Sequence, residues 1–301
     1  MIASFSWLKP REISALHPEL TVFLFPVGGL EQHGPHLPMG TKLFQAESRA
    51  KELAQILESR LPSWNFILMP LLPLTVDSNT NALALNVRAH VIRDAIVDQC
   101  TELAKLKFKI FATVTSDVTP RQLSALEDAS KIVNRRRWLG GVGAQLISVS
   151  GALIEAKQVF DSPMISLPFE HGGAIDTGFI LAENAALVDS NYGTLPEISK
   201  PQASISRFFL YLKNGIDGYW GKPGQANPLA SKKQQTEELN LIAEKMLPWL
   251  EKGKGQGLFR SGYGYFPFNG SFFKAYLLAT FFFVLMLIWA LWSMKDAFDA
   301  N

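Results

Sequence analysis

The sequence predicts a three-layer α/β protein in which a mostly parallel sheet lies between two layers of helices. Short apolar segments alternate with longer segments whose apolar residues recur at helical spacing. This alternation is typical of parallel strands joined by crossover helices, which cover both faces of the sheet. A chain of 301 residues, 48% of them apolar, is long enough for one large domain of this kind with a full core.

The predicted strands are short, apolar and bounded by Pro, Gly or polar residues. The second is interrupted by Pro70 and Pro73, so we expect it to lead into a loop. In chain order the strands are 21–26, 66–74, 109–115, 146–150 and 164–167.

The predicted helices carry apolar side chains three or four residues apart, which places those side chains on one buried face. The Tyr219-Trp220 pair before the last helix is expected to pack against that helix, or else to line the mouth of a pocket. In chain order the helices are 42–59, 86–106, 120–134, 177–184 and 232–249.

Charge and cysteine content exclude several kinds of partner and site. A formal net charge of +2 gives no reason to expect a nucleic-acid partner. The single cysteine, Cys100, excludes an intrachain disulfide and a cysteine-based zinc site. Its place in a helical pattern predicts a buried thiol.

The C-terminal segment is predicted to cross a membrane. Between Lys274 and Lys295 lie 20 residues without a charge, which as a helix span about 30 Å, the thickness of a bilayer's hydrocarbon core. The alternative is a buried core helix, but a helix that is apolar on all faces is uncommon in that setting. Basic residues before the segment, and no secretory signal at the N-terminus, predict a single-pass membrane protein whose globular part is cytoplasmic. The expected domains are an α/β domain at 1–251, a Gly-rich linker at 252–272, a transmembrane helix at 273–294, with membrane contact through 275–294, and a short tail at 295–301.

The segment 26–38, directly after the first predicted strand, is the strongest functional signal. It brings Glu31, His33 and His36 within six residues. Zn²⁺ and Mn²⁺ bind histidine nitrogen and carboxylate oxygen, so this composition suits a divalent-metal site. In parallel α/β folds such sites form at the C-terminal ends of strands. On composition alone, the histidines could equally be turn residues hydrogen-bonded to the backbone.

The same segment resembles the creatininase (creatinine amidohydrolase) family, in which a strand is followed by Pro-x-Gly-x-x-Glu-x-His-Gly-x-His-Leu-Pro. The resemblance extends over residues 15–250. Weaker landmarks follow in the expected order: the Pro70/Pro73 loop, the segment 171–178 and the segment 218–223. The resemblance implies a creatininase-like α/β/α domain, ring-like homo-oligomers, and two divalent ions that activate water to open amide or lactam bonds.

Carried over by position, the family's metal ligands are only partly present. Glu31 and His33 match one ligand to each metal, and Asp176 matches the late acidic ligand. Lys42 stands at the bridging Asp, and Ser116 stands at a ligand His. The neighbouring Asp117 could substitute as a ligand, but Lys42 would remain.

Lys42 is expected to replace the metals electrostatically by pairing with Glu31 and Asp176. Its ammonium would repel a divalent ion about 4 Å away by several kcal/mol, even at an effective dielectric constant of about 20. We therefore expect no metal cofactor, with Zn or Mn at Glu31, His33 and Asp176 as the alternative.

The sequence thus favours a membrane-anchored, catalytically inactive creatininase-like protein, a scaffold or partner-binding subunit of a membrane-associated complex. No catalytic residue is expected, and Glu170 and His171 are interpreted as remnants of a substrate pocket, or else as ordinary loop residues. The rival hypothesis is a metal-dependent amidohydrolase that acts on a cyclic or linear amide with a reduced metal site. A metal-free module that binds a small amide is the third.

Overall fold

A computed structural model describes residues 1–76, 83–138, 143–149, 151–154, 170–198, 218–253, 259, 261 and 270–299 of the chain. Within these residues the strands form one sheet in the order β1-β3-β2-β5-β6, with β4 paired to the end of β2, and every strand pair is parallel. The strands are β1 (Ile2–Ser4), β2 (Thr21–Gly28), β3 (Asn65–Leu68), β4 (Leu72–Pro73), β5 (Ile110–Thr115) and β6 (Gln145–Ser148).

Helices follow the strands in the order that a parallel sheet requires. They are α1 (Pro10–Ala15), α2 (Thr41–Arg60), α3 (Ala89–Lys105), α4 (Pro120–Trp138), α5 (Ala174–Asn184), α6 (Pro228–Lys252) and α7 (Gly270–Asp299). Short 3₁₀ turns lie at Phe5–Trp7, Pro18–Leu20, Ala185–Leu187, Ser190–Thr194 and Pro223–Gln225.

Strand β2 is buried along its whole length and divides the core into two layers. Phe23 and Phe25 point to the face covered by α3 and α4, whereas Val22 and Leu24 point to the face covered by α2 and α6. Each fully buried side chain of this size contributes about 1.5–3 kcal/mol. The alternation along β2 therefore fixes the three-layer arrangement, since a shift of one residue would exchange the two faces.

The C-terminal edge of the sheet contains a point at which the strand order reverses. The strands that follow β2 pair on its two sides, β3 on one and β5 on the other, so the C-terminal ends of β2 and β5 flank a topological switch point. Gly28 ends β2, and a Cβ at that position would lie 2.5 Å from the Lys42 carbonyl oxygen. Glycine thus lets the first turn of α2 approach the end of β2, which brings Lys42 to this edge.

Most predicted elements are confirmed, with boundary shifts that have local causes. The predicted strand 66–74 is divided into β3 and β4, because Pro70 has no N–H for the ladder. The helix expected from 177 begins at Ala174. Strand β1 was not predicted, since three residues are too few to show alternation. The strand expected at 164–167 lies outside the described residues.

The C-terminal part differs from a simple linker and span. Two residues of the predicted linker are buried: Phe259 packs its ring 6.2 Å from that of Trp249, and Ser261 donates hydrogen bonds to Glu127 on α4. Residues 273–294 lie within α7. For the predicted membrane span the finding is negative: among the residues that the structure describes, no helix has both the length and the apolarity that a crossing needs.

Candidate active site

The loop after β2 is closed by backbone hydrogen bonds on both sides of its acidic residue. The Glu31 N–H donates to the Met39 carbonyl at 3.0 Å, and the Gln32 N–H donates to the Leu83 carbonyl at 2.8 Å. Glu31 and His33 are 1% and 0% exposed. The loop therefore holds a carboxylate and an imidazole in a buried, fixed position above the sheet edge.

His33 is fixed in one tautomer by its own loop. Its Nδ1 lies 3.0 Å from the Glu31 carbonyl oxygen. A carbonyl oxygen only accepts hydrogen bonds, so Nδ1 carries the proton and Nε2 keeps its lone pair. Nε2 lies 3.8 Å from Glu31 Oε1 and has no hydrogen-bond partner among the described residues.

His171 is fixed in the opposite tautomer by the same loop. It precedes α5, and its Nε2 lies 2.7 Å from the Gln32 carbonyl oxygen, so the lone pair is on Nδ1. Its ring stacks on His33 with 3.9 Å between centroids, and Trp220 stacks on His171 at 4.9 Å. The ligand atoms of Glu31, His33 and His171 lie within 4.8 Å of one another. Among the residues that the structure describes, these three form a buried group that could hold a metal ion.

Both imidazoles are neutral at neutral pH. Burial, reinforced by His171 and Lys42, lowers the pKa of His33 well below its ordinary value. Burial and the nearby Lys42 ammonium lower the pKa of His171 to about 4. A metal binds the neutral imidazole, so the folded protein presents both rings in the form that can act as a ligand.

Lys42 forms the ion pair with Asp176 that the sequence predicts. Lys42 Nζ donates to Asp176 Oδ1 at 2.9 Å, Gln45 Nε2 donates to the same oxygen at 2.7 Å, and the Gly172 N–H donates to Oδ2 at 2.9 Å. Burial alone would raise the pKa of Asp176, but the Lys42 ammonium holds it well below its ordinary value. Burial alone would lower the pKa of Lys42, but Asp176, together with the charges of Asp117 and Glu31, raises it above its ordinary value.

The two residues after β5 shape the edge of the site. Ser116 Oγ donates to the Lys42 carbonyl at 3.2 Å. Asp117 Oδ1 accepts the Thr119 N–H at 2.8 Å, and Oδ2 lies 3.5 Å from the Thr75 hydroxyl. Ser116 thus contacts the residue that stands at the bridging position, whereas Asp117 stabilises the turn that leads into α4.

The remaining two predicted residues, Glu170 and His36, contact the first turn of α5. The Glu170 carboxylate accepts the N–H groups of Ala174 and Ile175, and burial raises the pKa of Glu170 to about 7. His36 Nε2 lies 2.8 Å from the Thr177 hydroxyl, and burial lowers the pKa of His36 to about 4. Both side chains therefore attach α5 to the site loops, and neither belongs to the group formed by Glu31, His33 and His171.

Sequence reasoning missed two contributions to the site. The sequence places His171 in a substrate pocket and not among the metal ligands. Its orientation as a possible ligand depends on the Gln32 carbonyl, 139 positions away, which sequence spacing does not reveal. The sequence places Trp220 against the last helix or at a pocket mouth, and gives no sign that its ring stacks on His171. No local signal separates these roles.

Comparison with known proteins agrees with this architecture. A family model described as creatininase, creatinine amidohydrolase, matches residues 7–245. The chain belongs to the creatininase family. The comparison with curated proteins gives no significant match.

Solved creatininases share the fold at low sequence identity. A crystal structure of creatinine amidohydrolase (creatininase) is 17% identical, with a TM-score of 0.62, and the match covers 80% of this chain and 95% of that one. A creatininase described with Mn is 16% identical (TM-score 0.61, 80% and 96% covered). A creatininase variant of the Zn-Zn type is 16% identical (TM-score 0.61, 80% and 95% covered). At this identity the likeness establishes the creatininase-like α/β fold with its parallel sheet.

Proposed function

We propose that this creatininase-family chain is a metal-dependent amidohydrolase that holds one divalent ion at Glu31, His33 and His171. One observation carries the proposal: two buried, stacked imidazoles each have one nitrogen held by a backbone carbonyl, and among the described residues the other nitrogen of each has no hydrogen-bond partner, with ligand atoms within 4.8 Å of one another and of the Glu31 carboxylate. Backbone carbonyls that receive the other ring N–H are the usual outer partners of metal-binding histidines.

The donor set fits Zn²⁺ or Mn²⁺. Two neutral imidazole nitrogens and one carboxylate oxygen are ligands that both ions accept, and relatives of the same fold are described with Mn and with Zn. Three protein ligands leave a position open for water or substrate, as in catalytic zinc sites. An ion bound there would act as a Lewis acid on an amide carbonyl and would lower the pKa of water.

The surrounding side chains hold this site in a buried position. Trp220 covers one face of the His171 ring and fixes its orientation. Glu31, His33 and His171 are at most 1% exposed, so charges at the site interact in a low dielectric environment. A cyclic or linear amide is the substrate class that we propose, in line with the family.

A test compares metal content and activity in matched variants of the full-length chain. We expect about one equivalent of zinc or manganese by elemental analysis in the wild type, and hydrolysis of amides from a panel of cyclic and linear compounds. His33→Gln and His171→Gln should lose both. His36→Gln is the control, because His36 is also a buried loop histidine but contacts Thr177. Equal metal content in all four proteins, or none in any, would contradict the proposal.

A metal-free scaffold is the second candidate. The Lys42–Asp176 pair favours it, because the Lys42 ammonium neutralises the Asp176 carboxylate without a metal ion. For this role we propose homo-oligomers and attachment to a membrane through 275–294, where exposed apolar side chains include Leu278, Phe282 and Trp289. Release of the full-length chain from membranes by alkaline carbonate would contradict the attachment. An inactive, metal-free chain that co-purifies with a fixed partner would favour this candidate.

A further inference from the structure

We propose that Lys42 is a built-in counter-ion that limits this site to one divalent ion, and that Asp176 is a positioning residue and not a ligand. This inference rests on the proposed function, because it concerns the same site. It differs from the two-ion arrangement that the family resemblance implies.

Both oxygens of Asp176 are already engaged. Oδ1 accepts from Lys42 and Gln45, and Oδ2 accepts from the Gly172 N–H. Recruiting this carboxylate to a metal would separate it from Lys42, a residue that is only 9% exposed. A buried ammonium without its partner is strongly unfavourable, so the ion pair competes with metal ligation.

Formal charges set the number of ions. Three carboxylates, Glu31, Asp117 and Asp176, act on the single ammonium of Lys42. With the three carboxylates ionised and Lys42 charged, this group of four residues carries two net negative charges. One divalent cation would neutralise it, whereas two would leave two net positive charges in a buried site. Excess charge of that kind is not tolerated without further ligands.

Asp176 also determines where His171 lies. The hydrogen bond from Gly172 to Asp176 closes the turn that carries His171. Gly172 adopts a φ of +65°, and a Cβ there would lie 2.4 Å from the His33 carbonyl oxygen. The turn is therefore pressed against the His33 loop, and Asp176 holds it there. Loss of Asp176 should move His171 without removing any ligand.

The test measures zinc equivalents and chelator-competition affinity in full-length variants. We expect one equivalent in the wild type and two in Lys42→Asp/Ser116→His, which restores the two family ligands beside each other. Lys42→Met should still bind one ion, at least about tenfold more tightly, because a nearby positive charge is gone. Lys51→Met is the control, since Lys51 lies on the same helix but is exposed and pairs with Glu47. It should match the wild type.

The positioning role has a spectroscopic readout. In the cobalt-loaded protein, Asp176→Asn should change the visible absorption of the ion and weaken its binding at least about tenfold, because a ligand has moved. Asp176→Glu, which keeps the charge, should recover part of both. An unchanged cobalt spectrum in a folded Asp176→Asn protein would overturn this role.

The outcomes separate the two proposals. A wild type that binds no metal overturns the proposed function. A wild type with two equivalents, or a Lys42→Met protein with unchanged affinity, overturns only the role of Lys42. If the double variant does not fold, the comparison of Lys42→Met with Lys51→Met still decides the question.

Discussion

Replacing Asp176 by Asn should destabilise the fold by about 3–5 kcal/mol, the range for removing one partner of a buried ion pair. The side chains of Lys42 and Asp176 are 11% and 4% exposed, so solvent screens the pair little. The variant leaves the Lys42 ammonium buried without a counter-charge. It also places an amide N–H₂ among the three groups that donate to Asp176 in the wild type, from Lys42, Gln45 and Gly172. One amide oxygen can still accept a hydrogen bond from Gln45 or Gly172, which favours the lower end of the range.

Urea unfolding of the metal-free, full-length chain, followed by tryptophan fluorescence, measures this loss. A cycle with Lys42→Met and Lys42→Met/Asp176→Leu isolates the coupling, because the double variant leaves no unpaired charge. Glu47→Gln is the control. It breaks the exposed ion pair between Glu47 and Lys51, whose side chains are 41% and 56% exposed, and should cost at most about 0.5 kcal/mol of stability. A loss below about 1 kcal/mol for Asp176→Asn, or no coupling to Lys42, would show that the buried pair does not stabilise the fold as expected.

The pH dependence of the same difference has a definite sign. The pKa of Asp176 is lower in the folded than in the unfolded state, so the pair contributes stability above the unfolded pKa, about 3.9, and loses it as the pH falls toward the folded pKa. The stability difference between wild type and Asp176→Asn should stay constant from pH 7 to about pH 5 and narrow only below about pH 4.

Three further predictions concern single residues. Gly172→Ala should cost at least about 2 kcal/mol by urea unfolding, because alanine disfavours the positive φ and its Cβ would meet the His33 backbone. Burial raises the pKa of Glu127, so stability contributed by its protonated form is lost as the pH rises through the folded pKa; wild type should gain stability relative to Glu127→Gln as the pH falls from 7 to 4. The Cys100 thiol is fully buried with a raised pKa, and should react with a thiol reagent only after denaturant is added.

The fold could be predicted from the sequence because its signals are local. Helix α2 and strand β5 appear within a residue or two of their predicted ends, since apolar spacing and β-branched runs specify them directly. Strand β1 carries no such pattern. Its pairing with β3 depends on a partner more than 60 positions away along the chain.

The site could be predicted only in part. The position of Glu31 and His33 after a buried strand was readable from one motif. The pairing of Lys42 with Asp176 followed from the positions of both residues in the family pattern. The role of His171 was not readable, because it depends on which ring nitrogen the Gln32 carbonyl engages. Tautomers are set by tertiary contacts, and sequence spacing does not reveal them.

The most direct test of the one-ion site is anomalous diffraction from crystals of the full-length chain equilibrated with zinc, recorded at the zinc edge. We expect a single strong peak bounded by Glu31 Oε, His33 Nε2 and His171 Nδ1, with the Lys42–Asp176 pair intact beside it. No peak at this position, or a second peak on the Asp176 carboxylate, would contradict it.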